Sequence, residues 1–199
     1  MIDTQLLLTA AYRIKWAYDQ EQFNVLSTEW AEGIFLYKGQ RIQYIAIPGS
    51  NDLIDWLWNI TLASWDGVKL ASYYSANRIK RRFRKRQGMP LLVCGHSKEG
   101  PTAVYLGKLL EADYCISFNP APGFRKREKV KNAVLVIDPD DIVFHLGKLN
   151  FKHPDCTIYT LPKNHKSYSL QDHCIQNTID YLELLLGQSG DIMDIQKSN

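Results

Sequence analysis

The segment from Met89 to Ala112 constrains this chain more than any other. It holds an apolar run, Met89-Pro90-Leu91-Leu92-Val93-Cys94, then Gly95-His96-Ser97-Lys98-Glu99-Gly100, then a helical pattern from Thr102 to Ala112. Strand, sharp turn with a central Ser, then helix is the context of a nucleophile elbow. Such a turn holds the Ser hydroxyl out at the end of a sheet, with the next backbone N–H at a helix N-terminus beside it. An isolated Ser is a poor nucleophile; it needs a base to take its proton and donors to hold an oxyanion. The elbow therefore demands an acid and then a His further along the chain. A plain helix N-cap is the alternative use of Ser97.

Both partners follow. The acid lies within Asp138-Pro139-Asp140-Asp141, which ends an apolar run. It must orient an imidazole and stabilise its cation. Asp138 fits by topology, because catalytic groups gather at strand ends, yet spacing does not separate the three, and Asp-Pro-Asp is also ordinary turn chemistry. His173, at the start of the last helical pattern, is the candidate base; His165 is its rival, and His145 and His153 are less well placed. One oxyanion donor would be the backbone N–H of Lys98. The other is expected from Gly49-Ser50, directly after the apolar run Tyr44-Ile45-Ala46-Ile47, where Ser50 offers both N–H and hydroxyl. The competing reading of Gly49-Ser50 is a simple turn.

The rest of the chain reads as α/β. Helical spacing covers Asp3 to Gln22, with Leu7, Ala10, Ala11, Ile14 and Tyr18 recurring on it. Gly33 to Tyr37 and Arg41 to Ile47 read as strands around a Lys38-Gly39-Gln40 turn. A helix is expected from about Ala71 to Arg86, buried strands over Asp113–Phe118, Ala133–Ile137 and Thr157–Thr160, and a closing helix over Gln171–Leu186. Strands alternating with helices argue for a largely parallel sheet. A length of 199 residues suits one domain with a real core. No run is long enough to span a membrane, and Met1-Ile2-Asp3-Thr4-Gln5 has no basic leader, so the expected location is cytoplasmic as synthesised, with release or membrane-surface action still open. A net charge of +3 is too small to imply a nucleic-acid partner. The four Cys form no C-x-x-C pair and no zinc-like spacing, so reduced thiols and no metal are expected.

Two further segments have a plain and a sharper reading. Leu53 to Leu62 reads as a short helix, either interior or a lid and substrate wall, in which Leu53, Trp56, Leu57 and Trp58 would meet an acyl chain or a lipid surface. Arg78-Ile79-Lys80-Arg81-Arg82-Phe83-Arg84-Lys85-Arg86 is either a solvated helix face or a contact for anionic membrane head groups.

Taken together, these segments resemble the class 3 (fungal-type) lipase family of α/β-hydrolases, from about Gly33 to Leu186. Ile47-Pro48-Gly49-Ser50 with Asp55-Trp56 looks like the family's oxyanion segment and lid start, and Gly95-His96-Ser97 matches its elbow. Phe118-Asn119-Pro120-Ala121-Pro122-Gly123, Asp141-Ile142-Val143-Phe144-His145-Leu146 and Asp172-His173 resemble its later motifs in the right order. The resemblance implies one compact α/β-hydrolase domain over residues 1–199. It would have a mostly parallel central sheet, helices on both faces and a short lid-like helix. It makes Ser97 nucleophile, Asp141 (over Asp138) acid and His173 base, with Ser50 and Lys98 as oxyanion donors. It implies hydrolysis of carboxylic esters, such as acylglycerols or phospholipids, without a cofactor. The chain departs from the pattern at Glu99, where the family has a Gly that lets helix and strand approach closely, and at Pro48, where it has Arg. Glu99 is expected to widen or block the site. The alternatives are a weak or inactive hydrolase-fold module that binds anionic lipid or a protein partner, and an acyltransferase using an alcohol in place of water.

Overall fold

Apolar side chains alternate across the central strands, and that period of two sorts them into two layers. The computed structural model describes residues 2–22, 30–49, 65–121, 129–141, 143, 155–162 and 173–187. Six strands are seen there: β1 (Ala31–Tyr37), β2 (Gln40–Ile47), β3 (Leu91–His96), β4 (Tyr114–Phe118), β5 (Lys129–Ile137) and β6 (Asp155–Thr160). Four helices accompany them: α1 (Thr4–Gln22), α2 (Trp65–Arg82), α3 (Glu99–Leu109) and α4 (Ile175–Gly187). The strands form one sheet in the order of the sequence. β1 pairs antiparallel with β2, and every later pairing is parallel.

The antiparallel pair closes through Lys38 and Gly39, both at positive φ (47° and 77°), as a two-residue hairpin turn requires. Tyr44, Ala46, Leu92 and Cys94 face α1 and α4, while Ile45, Ile47, Leu91 and Val93 face α2 and α3. Right-handed crossovers between successive parallel strands explain why α2 and α3 share one face. The other face would stay wet without the two terminal helices. α1 covers it with a stripe of Leu6, Leu7, Ala10, Ala11, Ile14 and Ala17, and α4 adds Ile175, Ile179 and Leu182. Asp3 caps α1, its Oδ1 accepting the Leu6 N–H at 2.9 Å.

The α/β reading with a mostly parallel sheet therefore holds. Element ends moved. α3 begins at Glu99 rather than Thr102, since Pro101 is tolerated in a first helical turn, where its missing N–H costs nothing. It ends near Leu109, because Glu111 adopts φ 49° and the Ala112 N–H reaches back to the Gly107 carbonyl at 2.8 Å, a Schellman-type stop. α2 ends at Arg82, so the basic run is only partly helical. Beyond it, the Gln43 side chain donates to the Arg84 carbonyl at 2.9 Å and accepts the Arg86 N–H at 2.8 Å. Gln43 pairs with Leu91 at the start of β3, which places this end of the run about 17–20 Å from the elbow along the strand direction. Ile79 and Phe83 from the run are core residues. Lys85 Nζ donates to the carbonyls of Leu110 (3.3 Å) and Glu111 (2.8 Å), a cation at the C-terminal end of α3. Among the described residues no helix is long and apolar enough to cross a membrane.

One close approach sets the distance between β3 and α3. A Cβ on Gly95 would lie 2.5 Å from the Glu99 carbonyl oxygen and 2.8 Å from the Ala103 side chain. Backbone cannot yield as a flexible side chain does. Gly95→Ala is expected to lower unfolding stability by about 1–3 kcal/mol in urea titrations. Gly187→Ala, with open space around it, should stay within about 0.5 kcal/mol of the parent.

Candidate active site

Ser97 follows β3 directly and adopts φ 57°, a left-handed conformation that costs an L-residue about 1–2 kcal/mol. Backbone bonds hold it there. Its N–H donates to the Phe118 carbonyl at 3.0 Å, and its own carbonyl accepts from Gly100 N–H at 3.0 Å and Ala121 N–H at 2.9 Å. Gly100 makes this possible: a Cβ there would sit 2.4 Å from Ser117 Oγ and 2.8 Å from Pro120. The close-approach positions of this elbow are thus Gly95 and Gly100. Glu99, expected to widen or block the site, stands in the first turn of α3 with its side chain 19 % exposed and 3.9 Å from Lys98 Nζ. A carboxylate at a helix N-terminus is favourable there.

The acid comes from the turn after β5. Asn119, itself at φ 40°, accepts the Asp138 N–H on its side-chain oxygen at 2.8 Å. Asp138 then accepts the Asp140 N–H on its carboxylate at 2.9 Å and the Asp141 N–H on its carbonyl at 3.2 Å. Asp138 is a turn-builder, and the turn it builds presents Asp141. One Asp141 oxygen meets His173 Nδ1 at 2.6 Å; the other accepts the Val143 N–H at 2.7 Å. His173, just before α4, places Nε2 2.7 Å from Ser97 Oγ. A carboxylate only accepts, so Nδ1 carries the imidazole proton and Nε2 is left to accept from the Ser97 hydroxyl. Ser97, Asp141 and His173 are each no more than 1 % exposed.

No protein-family model matches the chain, and no curated protein matches it. Chemical meaning therefore rests on the geometry. Lys98 is the N-cap of α3, so its N–H stands where helical amides have no intrahelical acceptor. Gly49 runs close beside the elbow: a Cβ on it would be 2.9 Å from Ser97 Cβ. Ser50, the lid or acyl-binding candidates Leu53, Trp56, Leu57 and Trp58, and the other histidines, His145, His153 and His165, lie outside the described residues. Among the described residues no group of three His, Cys, Asp or Glu side chains is arranged to hold a metal ion.

Two residues join the site without having been singled out by sequence. His96, quoted only as part of the elbow motif, is buried with its ring centroid 5.0 Å from that of His173. Tyr18 comes from α1, where helical spacing marked it as a core position. Burial, and then the neighbouring His173, push the His96 pKa well below its ordinary 6.5. A His held neutral in the fold but free to protonate when unfolded makes the unfolded chain bind more protons below pH 6.5. Its contribution to stability is then complete above about 6.5 and is lost as pH falls toward the depressed folded value. Urea unfolding at pH 7.5 and 5.5 should show a loss in the parent protein that is smaller in His96→Gln.

Proposed function

We propose that the protein is a serine hydrolase of the α/β-hydrolase type, similar to class 3 lipases, that cleaves carboxylic esters such as acylglycerols or phospholipids. One observation carries this reading. Ser97 Oγ, the His173 ring and Asp141 stand in line at 2.7 and 2.6 Å, buried, and delivered by three separate segments of the chain. A structural hydrogen-bond network has no need of a nucleophile at φ 57° beside a helix N-terminus. The parallel sheet with the Ser at a strand end, and the five ordered motifs in the sequence, support the same reading.

In this mechanism the Ser97 oxygen attacks the ester carbonyl carbon while its proton moves to His173 Nε2. Asp141 orients the ring and stabilises the imidazolium. The tetrahedral oxyanion is held by the Lys98 N–H and, from the sequence reading, by Ser50. Collapse breaks the bond to the alcohol, which leaves with the proton from His173. Water then attacks the acyl-enzyme, giving its proton to His173, and the acid is released as Ser97 regains its proton. The basic run stands at the other end of β3 and takes no part in this chemistry.

A variant of the reading has an alcohol replace water as acyl acceptor, which a water-excluded site would favour. Product analysis with added glycerol separates the two, since transfer yields a new ester and hydrolysis the free acid.

Hydrolysis of p-nitrophenyl esters with short to long acyl chains tests the reading. Ser97→Ala and His173→Ala are expected to lose about 10³- to 10⁶-fold in kcat, and Asp141→Asn about 10⁴-fold. Ser97→Ala protein with parental turnover would rule the mechanism out.

A further inference from the structure

Tyr18 and His96 link three parts of the site through a chain of hydrogen bonds with one consistent direction. The His173 carbonyl only accepts, and it lies 2.8 Å from His96 Nε2, so that nitrogen carries the proton. His96 Nδ1 is then an acceptor, and the Tyr18 hydroxyl donates to it at 2.8 Å. The same hydroxyl oxygen accepts the Gly49 N–H at 2.6 Å. The route runs from the loop after β2, through α1 and the elbow, to the backbone of the candidate base. Gly49 fits only as glycine, because a Cβ would lie 2.5 Å from the Tyr18 oxygen.

We propose that Tyr18 and His96 are positioning residues that hold His173 and the Gly49 backbone in register with Ser97 for acyl transfer. The proposal rests on the serine-hydrolase reading above and names residues that reading does not use. Three physical points support it. First, the Gly49 N–H is committed to Tyr18, so the Pro48–Gly49 peptide is held beside the elbow, where a Cβ on Gly49 would lie 2.9 Å from Ser97 Cβ. Second, His96 bonds the backbone of His173 rather than its ring, so the base is located without its proton-accepting nitrogen being occupied. Third, the network needs a neutral His96: an imidazolium would turn a second N–H toward the Tyr18 hydroxyl. It would also put positive charge 5.0 Å from the ring that becomes cationic when Ser97 attacks. Burial keeps His96 neutral. The strut is anchored in the core, since Ile14 and Ala17, on the turn of α1 before Tyr18, are buried against the sheet.

Tyr18→Phe removes the hydroxyl and keeps the ring that meets His96 edge-on at 5.9 Å. The experiment measures p-nitrophenyl butyrate kinetics and the rate of Ser97 labelling by a fluorophosphonate, in parent, Tyr18→Phe, and Tyr74→Phe as an exposed control. The expected result is a fall of about 10- to 100-fold in kcat and in labelling rate for Tyr18→Phe, with KM little changed and thermal melting lowered by about 2–8 °C, because the Gly49 N–H and His96 Nδ1 lose their partner. Tyr74→Phe should match the parent. A Tyr18→Phe protein that labels and turns over like the parent overturns the proposal alone. A parent protein without Ser97-dependent labelling overturns the hydrolase reading, and this proposal with it. The ¹⁵N spectrum of histidine-labelled parent protein gives a test that needs no variant. His96 must be neutral and protonated at Nε2 at pH 7; protonation at Nδ1 overturns the proposal.

Discussion

The left-handed turn at Ser97 is the constraint on which the rest of the site depends. At φ 57° the residue belongs to neither β3 nor α3, yet it joins them. The surrounding backbone must over-determine that conformation for it to persist. It does so from the neighbouring strand, through the Phe118 carbonyl and the Ala121 amide, and from within, through Gly100. These contacts require β3, α3 and the segment after β4 to crowd together. That crowding is why Gly95 and Gly100 have no room for a methyl group. Glu99 falls between these two crowded positions, on the partly exposed side of the turn.

Side chains outside the Ser97–His173–Asp141 line hold the backbone around the other two candidate groups. Asn119 fixes the start of the acid turn by accepting the Asp138 amide. His96 holds the His173 carbonyl, and Tyr18 holds His96 and Gly49. The parallel sheet makes this economical. Successive strands end side by side, so residues just after β2, β3, β4 and β5 meet at one edge without long excursions of the chain. α1 and α4 pack together over the same face. Tyr18, near the end of α1, and His173, just before α4, therefore arrive beside each other.

The edge that holds the site is built from short, buried, paired polar groups, while the dense positive charge lies toward the opposite edge. Lys85 meets the C-terminal carbonyls of α3, and Ile79 and Phe83 turn inward. Part of the run is thus explained by helix packing and by charge at a helix end. Lys80, Arg81 and Arg82 remain in solvent.

The sequence alone determined the alternation of strands and helices, because burial on both faces of a parallel sheet leaves unbroken apolar runs such as Leu91–Cys94. It also marked Ser97, since Gly-His-Ser-x-x-Gly between such a run and a helix is a local signal. Helix ends were less legible: the helical pattern was read only from Thr102, and Glu111 gave no sign that it would take the left-handed stop position usually held by Gly. Residue spacing left Asp138, Asp140 and Asp141 equivalent, for all three lie in one turn. The family resemblance pointed to Asp141, and only the tertiary structure gives the physical reason, because which carboxylate faces an imidazole depends on Asn119 reaching Asp138 from another strand end. Tyr18 is the clearest case. It lies 78 residues from His96, and its helical spacing says only that it faces inward. A hydrogen bond across that separation has no local pattern; it exists because the sheet and α1 pack as they do.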